Sequence, residues 1–393
     1  MRESSKNLKV RFDHKSLNAP RAPVYIIGLN SGTSGDGLDA ALVRFEKDEP
    51  PKVLISQTYK YAKSVRENIT NCAEIDFIDG LKWLELDSEL GNIMGRCAER
   101  FLTRIRKAGR RADLIGSHGQ TIRHLPFGLK YPLTLQVGDP SYIAQITGLP
   151  VVADFRRSDL AAGGQGAPIS PVLHECLFRH EKRCRAIVNI GGIANITVLP
   201  PTKSRRSPLA SDCGPGNMAI DLAMMRLFNK TFDGRGRTAL SGSPRIRLVS
   251  HILRRNFFRL SPPKSTGREQ FGRGFVDEIF QRLRRVPKED VVSTITEITV
   301  RGIADFLNRF AKKANEIYLC GGGAKNEYIV SRLRQLFPRR GIETTAALGY
   351  DPDYLEAVLW AYSAYCFMIK RPIDTSRFTG AARPYIPGRL CFS

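Results

Sequence analysis

The sequence predicts an α/β protein of roughly two domains with a duplicated architecture, and three observations carry that reading. First, 393 residues that are 42% hydrophobic and 25% charged supply enough apolar chain for two cores rather than one. Second, VYIIGLNSGTSGDGLDAALVRF (Val24 to Phe45) and AIVNIGGIANITVL (Ala186 to Leu199) share one plan: apolar run, small-residue turn, apolar run. Third, EIYLCGGGAKNEYIVSRLRQLF (Glu316 to Phe337) reads as a strand, a glycine turn and an amphipathic helix.

In chain order, Val24 to Phe45 is a β-hairpin whose turn is built from Gly, Ser, Thr and Asp. Leu90, Ile93, Met94, Cys97, Phe101 and Ile105 recur at helical spacing, so Ser88 to Ala108 is an amphipathic helix running into a strand at Ala112 to Gln120. Val151 to Phe178 reads as strand, Gly/Pro loop and helix, followed by the second hairpin and the Glu316 to Phe337 unit. The last long helix, Tyr354 to Ile369, is apolar almost all round and should be buried between layers. Glu356 is its only acid, and a buried carboxylate must be paired, hydrogen-bonded or functional.

Composition excludes several classes. Gly 34 and Pro 23 show no fixed period, against collagen-like or low-complexity chains. The most apolar stretch, Ala357 to Ile369, is shorter than the ~20 residues a membrane helix needs, so no membrane is expected. Eight cysteines lie scattered without CxxC pairs or zinc-site spacing, which suggests a reducing cytosol and no metal site. Charge is less ordinary: 61 Lys+Arg against 38 Asp+Glu gives +23. Between Arg235 and Arg285 twelve Arg and one Lys face three acids, but no nucleic-acid module accompanies them. A solvated basic face is expected, with only nonspecific contact to nucleic acid. Residues 1–22 are read as a basic, disordered extension.

Three glycine strings suit one nucleotide. In the first hairpin Gly32, Thr33, Ser34, Gly35, Asp36 and Gly37, with Asp39 beyond them, offer consecutive backbone N–H groups and little bulk, although no GxxxxGK[ST] P-loop is present. Asn189, Gly191 and Gly192 repeat the pattern, and Gly321, Gly322, Gly323 and Asn326 add a third surface: two for phosphates and one for adenosine. A plain tight turn is the alternative for any one of them alone. SDCGPGN (Ser211 to Asn217) mounts Asp212 before a rigid turn, as a general base or as a turn-capping aspartate. GSHGQTIRH gathers His118, Gln120, Thr121 and Arg123 at a strand end, with His118 by itself reading as a packed histidine.

Taken together, GLNSGTSGDGLDAALV, IGSHGQTIRHLP, LQVGDPSYIAQITGLPVVADFRRSDLAAGGQGAP, NIGGIANIT, DCGPGN, PPKSTGRE, CGGGAKN and TGAARP resemble, in that order, the 1,6-anhydro-N-acetylmuramic acid kinase family from about Val24 to Pro384. The resemblance implies two ribonuclease-H-like domains of the actin/Hsp70/hexokinase ATPase type with the active site in the interdomain cleft. Residues 23–150 with 370–393 would form one domain and 151–369 the other. It further implies ATP and Mg2+, and conversion of the anhydro sugar with water and ATP to N-acetylmuramate 6-phosphate and ADP. Asp212 would be the base. Gln120, Thr121, Arg156 and Glu356 would contact the sugar, unless Glu356 only locks the domains together. A cytoplasmic homodimer with a small-molecule sugar substrate is expected. The first hairpin departs from the family's GLMSGTSLDG at Asn30 and Gly35, and Gly35 should loosen that loop. Two alternatives remain open: a kinase for a related sugar, and a nonenzymatic descendant that binds polyanions.

Overall fold

A computed structural model describes residues 22–32, 35–74, 80–126 and 130–393. The extension through residue 21, and Thr33 and Ser34 of the first hairpin, lie outside these residues.

The first sheet opens with the expected hairpin, β1 (Val24–Ser31) antiparallel to β2 (Gly37–Phe45), and continues antiparallel to β3 (Lys52–Lys60). On the other side of β1, β4 (Leu114–Leu125) runs parallel to it, β5 (Leu133–Val137) pairs with the distal half of β4, and β6 (Val151–Ala153) lies parallel to β4. The second sheet repeats this plan. β7 (Arg185–Ile190), β8 (Ile193–Leu199) and β9 (Leu209–Pro215) are antiparallel neighbours, while β10 (Glu316–Cys320) and β11 (Gly341–Thr344) follow parallel to β7. Strand order and strand sense are the same in both, 3-2-1-4-6 and 9-8-7-10-11, which is the duplicated ribonuclease-H-like topology. β12 (Arg389–Cys391) closes the first sheet against β6.

β1 shows why the central strand reads as a continuous apolar run: both of its faces are covered. Ile27 and Leu29 pack with Leu90, Met94 and Phe101 of the helix Gly80–Lys107, whereas Val24 and Ile26 pack with the helix Leu355–Met368. The second helix lies unusually close. A Cβ on Gly28 would stand 1.8 Å from the Ala357 carbonyl oxygen, and one on Gly116 of β4 2.3 Å from that of Trp360. Gly28→Ala should therefore force helix and sheet apart and destabilise by about 1–3 kcal/mol, the usual cost of overpacking. Gly274→Ala, where a Cβ meets nothing within 4 Å, should leave the thermal midpoint unchanged or slightly raised. Equal midpoints for both variants would contradict this account of the packing.

Three expectations change. The division at 150/151 and 369/370 does not follow the sheets. β6 and the helix Leu355–Met368 belong with the first sheet, because β4 takes a parallel neighbour and the glycine-lined face of β1 and β4 receives that helix. Glu356 is exposed rather than buried, since it sits in the helix's first turn, where a carboxylate favours the helix dipole. A short helix, Phe155–Ala161, follows β6 directly where a loop was expected. Its Asp159 is fully buried and accepts hydrogen bonds from Gly166 N (2.6 Å), Thr375 Oγ1 (2.6 Å), Thr379 Oγ1 (2.9 Å) and Tyr385 OH (2.9 Å). That carboxylate ties the Gly/Pro loop to the C-terminal segment.

Candidate active site

At the end of β1 the chain has switched from apolar residues to Asn30 and Ser31, both nearly buried and therefore in need of partners. Ser31 Oγ donates to Gln120 Oε1 (2.6 Å) and accepts from Tyr61 OH (3.2 Å). Asn30 bridges two residues of the helix Leu355–Met368. Trp360 Nε1 donates to Asn30 Oδ1 (2.9 Å), and Asn30 Nδ2 donates to Glu356 Oε2 (2.9 Å). Because an indole N–H can only donate, the amide oxygen must face Trp360 and the NH2 must face Glu356. One carboxylate oxygen of Glu356 is thereby held as an acceptor.

The Trp360 ring also carries a second chain of contacts. His118 stacks on its ring at 4.3 Å, and the Arg156 guanidinium lies 5.7 Å from the ring centroid. Arg156 Nε donates to His118 Nε2 (2.8 Å) and its Nη1 to the Gly166 carbonyl (2.8 Å). The His118 Nδ1 stands 2.9 Å from the Gly119 carbonyl, so the proton resides on Nδ1 and the ring is neutral. Burial, then the Arg156 charge, holds its pKa well below the ordinary histidine value. His118 is the packed residue that the sequence suggests.

In the second lobe the NIGG and DCGPGN strings interlock. Gly216 N donates to Gly192 O (3.0 Å), Asn217 N to Gly191 O (2.7 Å), and Asn217 Nδ2 to Ile190 O (3.1 Å). The CGGG turn closes over the same place: Gly321 has φ +74°, and a Cβ there would lie 2.4 Å from Asn189 Oδ1. Only glycine allows both that backbone conformation and that approach. Asp212 stands in the middle of β9, ahead of the Gly/Pro turn as the sequence suggests. Its Oδ2 accepts from Thr266 N (2.8 Å) and Ser265 Oγ (3.4 Å), and its own N–H donates to Lys264 O (3.0 Å). Burial raises its pKa to about 7 against these two hydrogen bonds, with Glu269 adding a further rise.

The two lobes meet electrostatically here. Asp39 accepts from Thr58 Oγ1 (2.6 Å), and its pKa is raised to about 6 by burial and by Asp36, Glu356 and Asp353. Asp221, on the helix Asn217–Phe228 of the second lobe, is raised to about 7 by burial and by Asp36 of the first. Glu356 likewise acts on Cys320 at the end of β10.

Gly32, Gly35, Asp36, Gly37 and Asp39 lie at the end of the β1–β2 hairpin with Glu356 on Asn30, while Asn189, Gly191 and Gly192 lie at the β7–β8 turn and Gly321, Gly322 and Gly323 follow β10; the Asp36 effect on Asp221 and the Glu356 effect on Cys320 link the two groups. Some expected contacts are engaged within the protein. Gln120 is fully buried under Ser31, and Thr121 Oγ1 accepts from Gln136 Nε2 (3.3 Å). Asn326 is the N-cap of the helix Glu327–Leu336, its Oδ1 taking the Ile329 N–H (3.2 Å). Sequence reasoning assigned nothing to Asn30, Trp360, Asp221, Ser265 or Thr266. The string PPKSTGRE was the available signal for the last two.

The family model for anhydro-N-acetylmuramic acid kinase matches residues 24–392. A relative from Coxiella burnetii (strain RSA 493 / Nine Mile phase I), named anhydro-N-acetylmuramic acid kinase, is 39% identical over 364 residues, covering 93% of this chain and 96% of its own. One of the same name from Shewanella oneidensis is 38% identical over 365 residues, covering 93% and 97%. Among solved structures, the activator of the 2-hydroxyisocaproyl-CoA dehydratase from Clostridium difficile with bound ADPNP superposes with a TM-score of 0.42 at 14% identity, covering 88% of this chain and 96% of that one.

Proposed function

Since the chain belongs to the anhydro-N-acetylmuramic acid kinase family, we propose that it opens 1,6-anhydro-N-acetylmuramate with water and phosphorylates it from ATP in one coupled reaction. The observation that carries this reading is the Asp212 carboxylate. It is oriented by Thr266 N–H and held at a pKa of about 7, where a base can both accept and release a proton near neutrality.

Water attacks the anomeric carbon and gives its proton to Asp212. The bond from that carbon to the 6-oxygen breaks, and the freed oxygen attacks the γ-phosphorus as ADP leaves. Glu356, held through Oε2 by Asn30, keeps its other oxygen for a sugar hydroxyl or the water. Arg156, fixed by His118 and Gly166, sets the wall on that side. The turn between β1 and β2 and the Gly191–Gly192 turn receive the phosphates, and Gly321 to Gly323 receive the adenosine side. Among the described residues no three His, Cys, Asp or Glu side chains form a metal site. Asp36 and Asp39, the latter with its pKa raised by burial and by the neighbouring carboxylates, would hold a Mg2+ ion. When bound, it would neutralise charge on the transferring group. The family resemblance also supports a homodimer working in the cytoplasm.

The test is mass spectrometry of a reaction with Mg-ATP and 1,6-anhydro-N-acetylmuramate in water enriched in oxygen-18. The expected product is a sugar monophosphate with one labelled oxygen at its anomeric carbon. An unlabelled phosphosugar excludes coupled hydrolysis. Turnover of free amino sugars with none of the anhydro sugar favours the related-sugar kinase.

A further inference from the structure

The positive charge is unevenly neutralised. In the Arg235–Arg285 stretch, Arg235 pairs with Glu327, Arg245 with Asp290, and Arg255 and Arg282 with Glu278. A different place gathers cations without matching acids. At the edge of the second sheet, a concave pocket is lined by Lys182 and Arg183 ahead of β7, Arg206 ahead of β9, and Arg309, Lys312 and Lys313 ahead of β10.

β7 and β10 run parallel from Arg185 and Glu316 at this pocket to Asn189 and Cys320 at the candidate active site. At ~3.3 Å per residue, roughly 15 Å of sheet separates the two, so the pocket is not part of the catalytic cleft.

Its one carboxylate, Glu316, is already engaged by Arg183 (2.5 Å), Arg185 (2.8 Å) and the Tyr318 hydroxyl (3.2 Å). Arg309 is held by Asp305 (3.0 Å) and by the Phe258 and Arg259 carbonyls. Lys182, Arg206, Lys312 and Lys313 form no ion pair among the described residues. Four exposed cations from three separate chain segments therefore converge on one concavity and repel one another, a cost that a bound anion relieves. The loop carrying Arg206 adds Ser204 and Ser207 to the lining.

We propose that this pocket binds a compact ligand carrying several phosphate groups. Four free cations match a multivalent anion better than a monovalent one. A concavity whose one aromatic lining residue is Phe310 offers little for stacking nucleic-acid bases.

The probe is inorganic tripolyphosphate, titrated calorimetrically into the full chain at low salt with the catalytic cleft saturated by a nonhydrolysable ATP analogue. One equivalent should bind, at least tenfold tighter than orthophosphate, and affinity should fall as salt rises. The double variant Lys312→Glu, Lys313→Glu should weaken binding at least tenfold and leave sugar-kinase turnover unchanged. Arg284→Glu, Arg285→Glu makes the same change in net charge at exposed positions that do not line the pocket, and should shift affinity less than about twofold. Equal loss in both double variants, or no binding of tripolyphosphate, overturns the proposal. A short single-stranded oligonucleotide that binds more tightly than tripolyphosphate, with the same sensitivity to Lys312 and Lys313, overturns it in favour of a nucleic-acid surface.

Discussion

Asp212→Asn lowers kcat by about 10^2- to 10^4-fold, the range that a positioned general base supplies, while ATP affinity changes by less than about twofold. The substitution keeps an acceptor for Thr266 N–H and removes only the ability to take a proton. In the unmodified protein, activity should rise as pH increases through about 7, because the base must be ionised and burial holds its pKa there. The stability consequence has the opposite sense. Asp212 in the folded protein has a pKa above its ordinary value of 3.8, so between about 4 and 7 the folded state holds a proton that the unfolded chain has lost. Folding stability from this group therefore falls as pH rises through that window, and the full cost is present above about 7. Asp212→Asn should have a higher Tm than the unmodified protein at pH 8, with the difference vanishing below about pH 4. Near-normal turnover would remove Asp212 from the mechanism. A lower Tm at pH 8 would show instead that the carboxylate stabilises the fold.

Asn30→Asp should be destabilised by about 3–5 kcal/mol at alkaline pH, the scale reported by buried charges left without a partner. The Trp360 indole can still donate to the new side chain, but the group facing Glu356 changes from a donor to a carboxylate 2.9 Å from another carboxylate. The pair then shares one proton, and its upper apparent pKa rises. A raised carboxylate pKa places the loss on the alkaline side: stability declines as pH increases through that value and recovers on acidification. Asn30→Leu provides the comparison. It leaves the indole N–H unpartnered at a cost of about 1–3 kcal/mol, with no titrating group added. Thermal midpoints of the three proteins from pH 5 to 9 distinguish the two cases, and parallel curves for both variants would show that Asn30 does not orient Glu356. Because the carboxylate would be repelled from its place, the activity optimum of Asn30→Asp should also move to lower pH.

Asn30 is set by contacts that lie far along the chain. As a departure from GLMSGTSLDG it is visible in the sequence, but what it pairs with is not. Its partners lie 326 and 330 residues away. The same limit applies to Asp212, whose Ser265 and Thr266 contacts bridge 53 and 54 residues.

The features legible from residue spacing alone are local and repetitive. The alternation of Ile26 with Ile27, the two small-residue hairpins and the CGGG turn each follow from side-chain period and backbone freedom within a few residues. They suffice for the duplicated α/β architecture and for the ordered strings that carry the family resemblance. Long-range packing places the helix Leu355–Met368 against the first sheet, leaves Glu356 exposed on its first turn, gives Gln120 the Ser31 hydroxyl and makes Asn326 a helix cap. These outcomes depend on which distant surfaces close on one another. A glycine face on β1 and β4 admits one particular helix at backbone contact, and that docking settles which polar groups find partners and which are left facing the space between the lobes.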